Sequence, residues 1–238
     1  MNKPLAIDYH PEANLRLWQL ISPSLPIGSY AYSQGLESAC EAEWVHDRDS
    51  AHAWISAVLE QSLCRLDIPV LQRCYVAWGQ VDGEQAQQSL RALHYWNQQI
   101  LAQRETLEIK KEDLQLGYAL RRLLLDLGEL PSELWPEQEP LSYVTLFAYA
   151  AQRWKIPLQQ AAQGYCWSWC ENQVAAAIKL VPLGQTDGQR ILSQLLRLIP
   201  QATSIGLSLE DADIGATLPG LAIGSAQHET QYSRLFRS

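Results

Sequence analysis

Leucines 116, 120, 123, 124 and 127 recur at spacings of three and four residues, which puts them on one face of an α-helix. No other feature constrains the chain as strongly, because the same spacing returns elsewhere. Trp54, Ile55, Val58, Leu59, Leu63 and Leu66 follow it within residues 49–66, and Ile191, Leu192, Leu195, Leu196 and Ile199 follow it later. Alternating apolar runs bounded by turn residues, the mark of strands, are missing, and no fixed-period repeat is found. Each apolar stripe needs a facing stripe to cover it. The expectation is therefore a single all-α domain over residues 1–238, a bundle of about eight to ten helices.

Prolines, glycines and caps divide the stripes. Helices are expected over residues 12–21, 33–43, 49–66, 142–153, 158–180 and 221–235, with Pro157 in a first-turn position. Pro69 starts or kinks a piece carrying Val70, Leu71, Cys74 and Trp78. Asp82 with Gln85 resembles a capping box before a helix that continues past Leu101 toward Ile109, and Thr186 with Gln189 resembles another. Gly128 closes the Leu116 stripe, and Pro131, Pro136 and Pro140 make 129–140 a loop within the bundle.

The net charge of −8 argues against nucleic acid as a partner, since phosphate binding needs clustered Lys and Arg. The most apolar stretches are broken by Arg121 and Arg122, or by Lys179. None reaches the roughly 18 residues of a membrane span. The start, Met1-Asn2-Lys3-Pro4, lacks the pattern of a signal peptide. The expected location is the cytoplasm. Nine Trp and ten Tyr beside only 18% charged residues suggest that a partner covers part of the surface.

The sequence carries no recognisable catalytic motif. Gly184 to Gly188 is too short for a phosphate-binding loop and has no Lys at its end. The five His, at 10, 46, 52, 94 and 228, form no metalloprotease pair, and no Gly-x-Ser-x-Gly turn occurs. Glu108, Glu112 and Asp113, lying among Lys110 and Lys111, read as a solvated charged face. Cys166 and Cys170 share a helix face. They fit two buried apolar thiols beside Trp167 and Trp169 better than a metal pair. No enzyme activity, cofactor or bound metal is expected.

Three segments resist a purely structural reading. Leu25–Glu37 packs Pro26, Gly28, Gly35, Tyr30 and Tyr32 against a helix start, where Glu37 in the first turn would complement the helix dipole. Lys179 opens a second segment, 179–189, from within the otherwise apolar stretch 174–181. It either snorkels to the surface or meets a carboxylate. The third, His228–Ser238, interleaves Tyr232, Leu235 and Phe236 with Arg234 and Arg237, a composition typical of binding hot spots. Such a tail is expected to be exposed and ordered by a partner. The partner-binding extensions would be residues 1–32 and 221–238.

Together these segments resemble the urease accessory protein F family (UreF), and the resemblance covers essentially the whole chain. Arg104-Glu105-Thr106-Leu107-Glu108 resembles the family's Arg-Glu-Thr-Arg-Glu segment, with Leu107 in place of the second Arg. The resemblance implies an all-α homodimer that acts as a nickel-insertion chaperone for apo-urease. It would bridge an accessory scaffold (the D or H protein) and the GTPase of the system (the G protein). Position by position, Arg234 matches a tail arginine used in assembling the complex with the GTPase, and Glu37 and Lys179 match charged positions on the GTPase-facing surface. Tyr232 and Phe236 would anchor the tail in a groove. A rival reading, a nickel carrier using His228, Cys166 and Cys170, requires those scattered side chains to converge.

Overall fold

A computed structural model of the chain describes residues 10–238. Residues 1–9 lie outside it, and with them the Met1–Pro4 start and the first part of the expected N-terminal extension. The described residues form α1 (Ala13–Leu20), α2 (Leu36–Glu41), α3 (Arg48–Val58), α4 (Ile68–Trp78), α5 (Ala86–Ala102), α6 (Leu107–Asp126), α7 (Tyr143–Arg153), α8 (Leu158–Leu180), α9 (Gln185–Ser208) and α10 (Pro219–His228). No strand is present among them, and the all-α expectation holds.

The long helices α8 and α9 form a hairpin, and α4 packs on α5 and α7, α6 on α7, and α10 across α2 and α6. Most of the expected stripes supply the core: Ile55, Leu59, Leu120, Leu124 and Ile191 are fully buried, as are Leu71, Leu93 and Phe147, whereas Leu127 and Leu196 are exposed. Each such buried side chain contributes about 1.5–3 kcal/mol relative to exposure.

Between α3 and α4 the helix does not break. Residues Leu59–Asp67 widen into a π-helical segment, in which the Ile68 N–H reaches back five residues to the Leu63 carbonyl. Pro69 enters immediately after it, at the start of α4. The carbonyl of Arg65, four residues before Pro69, accepts instead from the Gly215 N–H at 3.1 Å. Gly206 of α9 lies against this widened turn, where a Cβ would stand 2.5 Å from the Cys64 carbonyl oxygen.

Several expected boundaries differ. The true capping box at the start of α3 joins Asp47 and Ser50. The one expected at Asp82 does not form, because residues 80–86 are taken up in successive turns and α5 starts at Ala86. Thr186 lies inside α9, whose N-cap is Gly184. The helix expected to run on toward Ile109 stops at Ala102, and Thr106 caps a new one by accepting from the Ile109 N–H at 3.3 Å. The break lets Arg104 turn inward. The last helix ends at His228 and not at 235, leaving 229–238 as an irregular tail. In the loop 129–140, Trp135 is buried, and Arg121 donates to its carbonyl at 2.8 Å.

Candidate functional site

The tail folds back onto the body of the protein, and the start of α2 receives it. Gln34 and Gly35 precede α2 with φ of +51° and +77°. Glycine is required at the second position, because a Cβ there would lie 2.9 Å from the Ser225 nitrogen of α10. The non-glycine Gln34 is held in its left-handed conformation by its side chain, which donates to Glu112 Oε1 at 2.8 Å and accepts from Trp169 Nε1 at 2.8 Å. The resulting close contact of α2 with α10 brings Glu37 beside His228.

Glu37 is buried, and its carboxylate accepts the backbone N–H groups of Leu235 at 2.6 Å and Phe236 at 2.8 Å. The same carboxylate faces His228 Nε2 at 3.2 Å, while His228 Nδ1 faces Glu108 Oε2 at 2.7 Å. Arg234 Nη1 donates to the other oxygen of Glu108 at 2.8 Å. Glu229 turns the other way, accepting from the Leu107 and Glu108 N–H groups at 3.1 and 3.3 Å. It thereby satisfies two donors left open at the N-terminus of α6.

Beyond Phe236 the chain is fixed again. Arg237 N–H donates to the Ala31 carbonyl at 2.8 Å, and Ser33 donates from both N–H and Oγ to the Ser238 main-chain oxygen at 2.7 and 2.5 Å. Ser238 Oγ donates to Glu112 Oε2 at 2.8 Å. Phe236 is buried, and Lys179 Nζ sits 5.5 Å from the centroid of its ring, a cation–π distance.

Four of the five residues singled out in the sequence, Glu37, Lys179, Arg234 and Phe236, thus meet around the tail. Tyr232 does not anchor the tail against the body. It is fully exposed, and Leu235 beside it is 63% exposed. The tail expected to lie free is instead half bound, with Phe236 and Ser238 buried and Tyr232 and Leu235 facing outward. Lys179 meets neither a carboxylate nor bare solvent alone, since the Phe236 ring lies against its ammonium.

His228 carries no local mark of its place between two carboxylates, and Glu108, Glu112 and Asp113 do not form the solvated face expected of them. Glu112 and Asp113 are buried, and the Glu108 side chain is only 11% exposed. The signal was present: counting back by fours from Leu120 and Leu116 lands on Glu112 and Glu108, in phase with the apolar stripe. Burial pushes the Glu112 carboxyl up to about 7, against the opposing pull of Gln34, Ser238 and Arg104.

A buried ionic cluster supports this region from below. Arg104 donates to both oxygens of Asp67 at 2.8 and 3.1 Å and to Asp113 at 2.8 Å. Tyr165 OH donates to Asp67 at 2.9 Å, and the Tyr143 N–H to Asp113 at 2.6 Å. Burial alone would lower the Arg104 pKa, but Asp67 and Asp113 outweigh it and hold the guanidinium charged. Adjacent lies a cavity of about 220 Å³ lined by Ile27, Tyr30, Tyr165 and Trp169, with Gln34 and Glu112 also on its surface. Within the Leu25–Glu37 segment, Ile27, Ser29, Tyr30 and Gln34 line the cavity, while Ala31, Ser33 and Glu37 hold the tail.

Cys166 and Cys170 are fully buried, and His228 is engaged with its two carboxylates. Among the described residues, no group of three or more His, Cys, Asp or Glu is arranged to hold a metal ion. No helix among them is long and apolar enough to cross a membrane.

The sequence model of the UreF family matches residues 45–196. The urease accessory protein UreF of Alkalilimnicola ehrlichii is 50% identical over 226 residues, covering 95% of this chain and 96% of that protein. Those of Marinobacter nauticus and Pseudoalteromonas translucida are 48% and 47% identical, each alignment covering 95% of this chain and 94% of the relative.

Proposed function

The chain belongs to the UreF family of urease accessory proteins, and from that premise we propose that it serves urease maturation as a bridge. In this reading it holds the accessory scaffold (the D or H protein) and the GTPase (the G protein) together, as a homodimer in the cytoplasm, so that nickel reaches apo-urease. It is an assembly factor and not a hydrolase.

One observation carries the reading. Residues far apart in the sequence, Glu37, Glu108, Lys179 and the tail, converge to hold a short segment whose inner side chains are fixed and whose outer ones are bare. Binding surfaces concentrate their energy in aromatic and arginine side chains. Here Tyr232 and Leu235 face outward next to Arg234, with Leu107 exposed at the neighbouring start of α6. Arg234 is 39% exposed and uses one guanidinium nitrogen on Glu108, so further donors remain for a partner's carboxylate. A pre-ordered tail also lowers the entropy cost that a disordered one would add on binding.

Expression of the urease genes with this chain carrying Arg234→Ala tests the proposal. Expected is a loss of GTPase from the recovered accessory complex together with low urease nickel content, and partial retention at best with Arg234→Lys, which cannot reproduce a planar two-pronged contact. Undiminished recovery of the complex with Arg234→Ala overturns it.

A further inference from the structure

His228 is completely buried, and both ring nitrogens face carboxylate oxygens, Nδ1 toward Glu108 at 2.7 Å and Nε2 toward Glu37 at 3.2 Å. A neutral imidazole has one N–H and one lone pair, whereas an ionised carboxylate only accepts. One of the two contacts would then set a lone pair against an oxygen. The conflict disappears when the trio holds one more proton, so that the ring donates in both directions. Two carboxylates are then balanced by one imidazolium and by Arg234 on Glu108. Without the proton a buried negative charge is left uncompensated, which is costly in a site closed to water.

The surrounding groups supply no substitute. Glu37 faces the ring from α2 and Glu108 from α6, with Glu112 one turn further along α6 and bonded to Ser238. From the tail come Arg234, on Glu108, and Glu229, which is turned to the α6 N-terminus. Lys179 of α8 stands behind Phe236. If Glu37 turns away from an unprotonated ring, it drops the Leu235 and Phe236 N–H groups. If Glu108 turns away, it frees Arg234.

We propose that tail docking is proton-linked through His228: the tail is latched while the Glu37–His228–Glu108 trio carries the added proton and is released as pH rises. The proposal concerns the isolated chain and stands or falls independently of which proteins the tail meets.

An NMR titration of the purified chain over roughly pH 5 to 9, the range in which histidine changes charge, tests it. The Leu235 and Phe236 amides, shifted downfield by their carboxylate, are expected to move to free-chain positions in the same step as the His228 ring protons. For a single linked proton the docked population falls tenfold per pH unit above that step. His228→Gln, with no proton to lose, is expected to abolish the step, and Glu112→Gln to leave it in place. Amides that stay put across the range, or that move apart from the His228 ring, overturn the proposal. So does a step that survives His228→Gln. Should that variant fail to fold, coincidence of ring and amide midpoints in the unaltered chain still decides.

Discussion

Glu37 and Leu235 are 198 residues apart in sequence, yet the Leu235 N–H donates to Glu37 Oε1 at 2.6 Å. A first-turn glutamate, placed where it would ordinarily only complement a helix dipole, thereby becomes the peg on which the chain's last segment hangs.

Replacing Glu37 with Ala is expected to undock the tail without unfolding the bundle. Hydrogen bonds to a charged acceptor are worth about 1.5–3 kcal/mol each. Protection of the Leu235 and Phe236 amides against hydrogen exchange should fall at least about tenfold, while the amides of α8 keep theirs. Equal loss across α8 would mean that Glu37 supports the core and not the tail specifically.

Arg104 should behave differently, because its partners lie in the core. Arg104→Met leaves Asp67 and Asp113 buried without their cation, and removing one partner of a buried pair costs about 3–5 kcal/mol. The urea midpoint is expected to drop accordingly, and Arg104→Lys should recover little, since it cannot bond both carboxylates through a planar fork. A midpoint unchanged by Arg104→Met would contradict the assignment.

Glu112 makes stability depend on pH. Its carboxyl ionises near the ordinary 4.5 in the unfolded chain but near 7 when folded, because burial disfavours the charge. Between those values the folded state binds more protons than the unfolded one. Stability therefore falls as pH rises from about 4.5 to about 7, by an amount on the order of 3 kcal/mol, and this contribution is flat above that window. Denaturation by urea across that pH range should show the decline, and Glu112→Gln should remove one proton's worth of slope.

The thiols should be inert in the native state. Burial pushes Cys74 up to about 12 and Cys40, with Glu37 nearby, up to about 11. Cys166 is raised by its contact with Cys64 and by burial, and Cys170 by burial. Reaction depends on the thiolate. Alkylation at neutral pH is expected to be slow in the native protein and to reach all five cysteines on denaturation, as mass spectrometry would record. Rapid native labelling of Cys166 or Cys170 would show that α8 opens.

The bundle was legible where an apolar stripe ran long enough to have a phase. Leu116, Leu120 and Leu124 named their helix, and all three are buried. Short patterns were less informative. The short capping signals at Asp82 and Thr186 are outweighed by turns and helix starts set by packing, while the box that forms at Asp47 has Ser50 where the usual signature has Glu or Gln. The π-helical widening is invisible to periodicity because Leu59, Leu63 and Leu66 suit either helix. At the site, charge hid burial: Glu108 and Glu112 share the phase of the leucines, but their neighbours Lys110 and Lys111 made the face read as wet. The tail's composition marked it as a contact segment and could not say that Phe236 would face inward and Tyr232 outward. That choice depends on Glu37, a residue nothing local connects to it.

The most direct test of the bridge reading uses Tyr232→Ala with Leu235→Ala, since both side chains face solvent and carry no part of the fold. The double variant should keep the urea midpoint of the unaltered chain. In gel filtration with the scaffold and the GTPase, it should bind the assembly more weakly by about two orders of magnitude, the range expected when two hot-spot side chains are lost. Assembly at unchanged affinity would contradict the assignment of the tail as the docking surface.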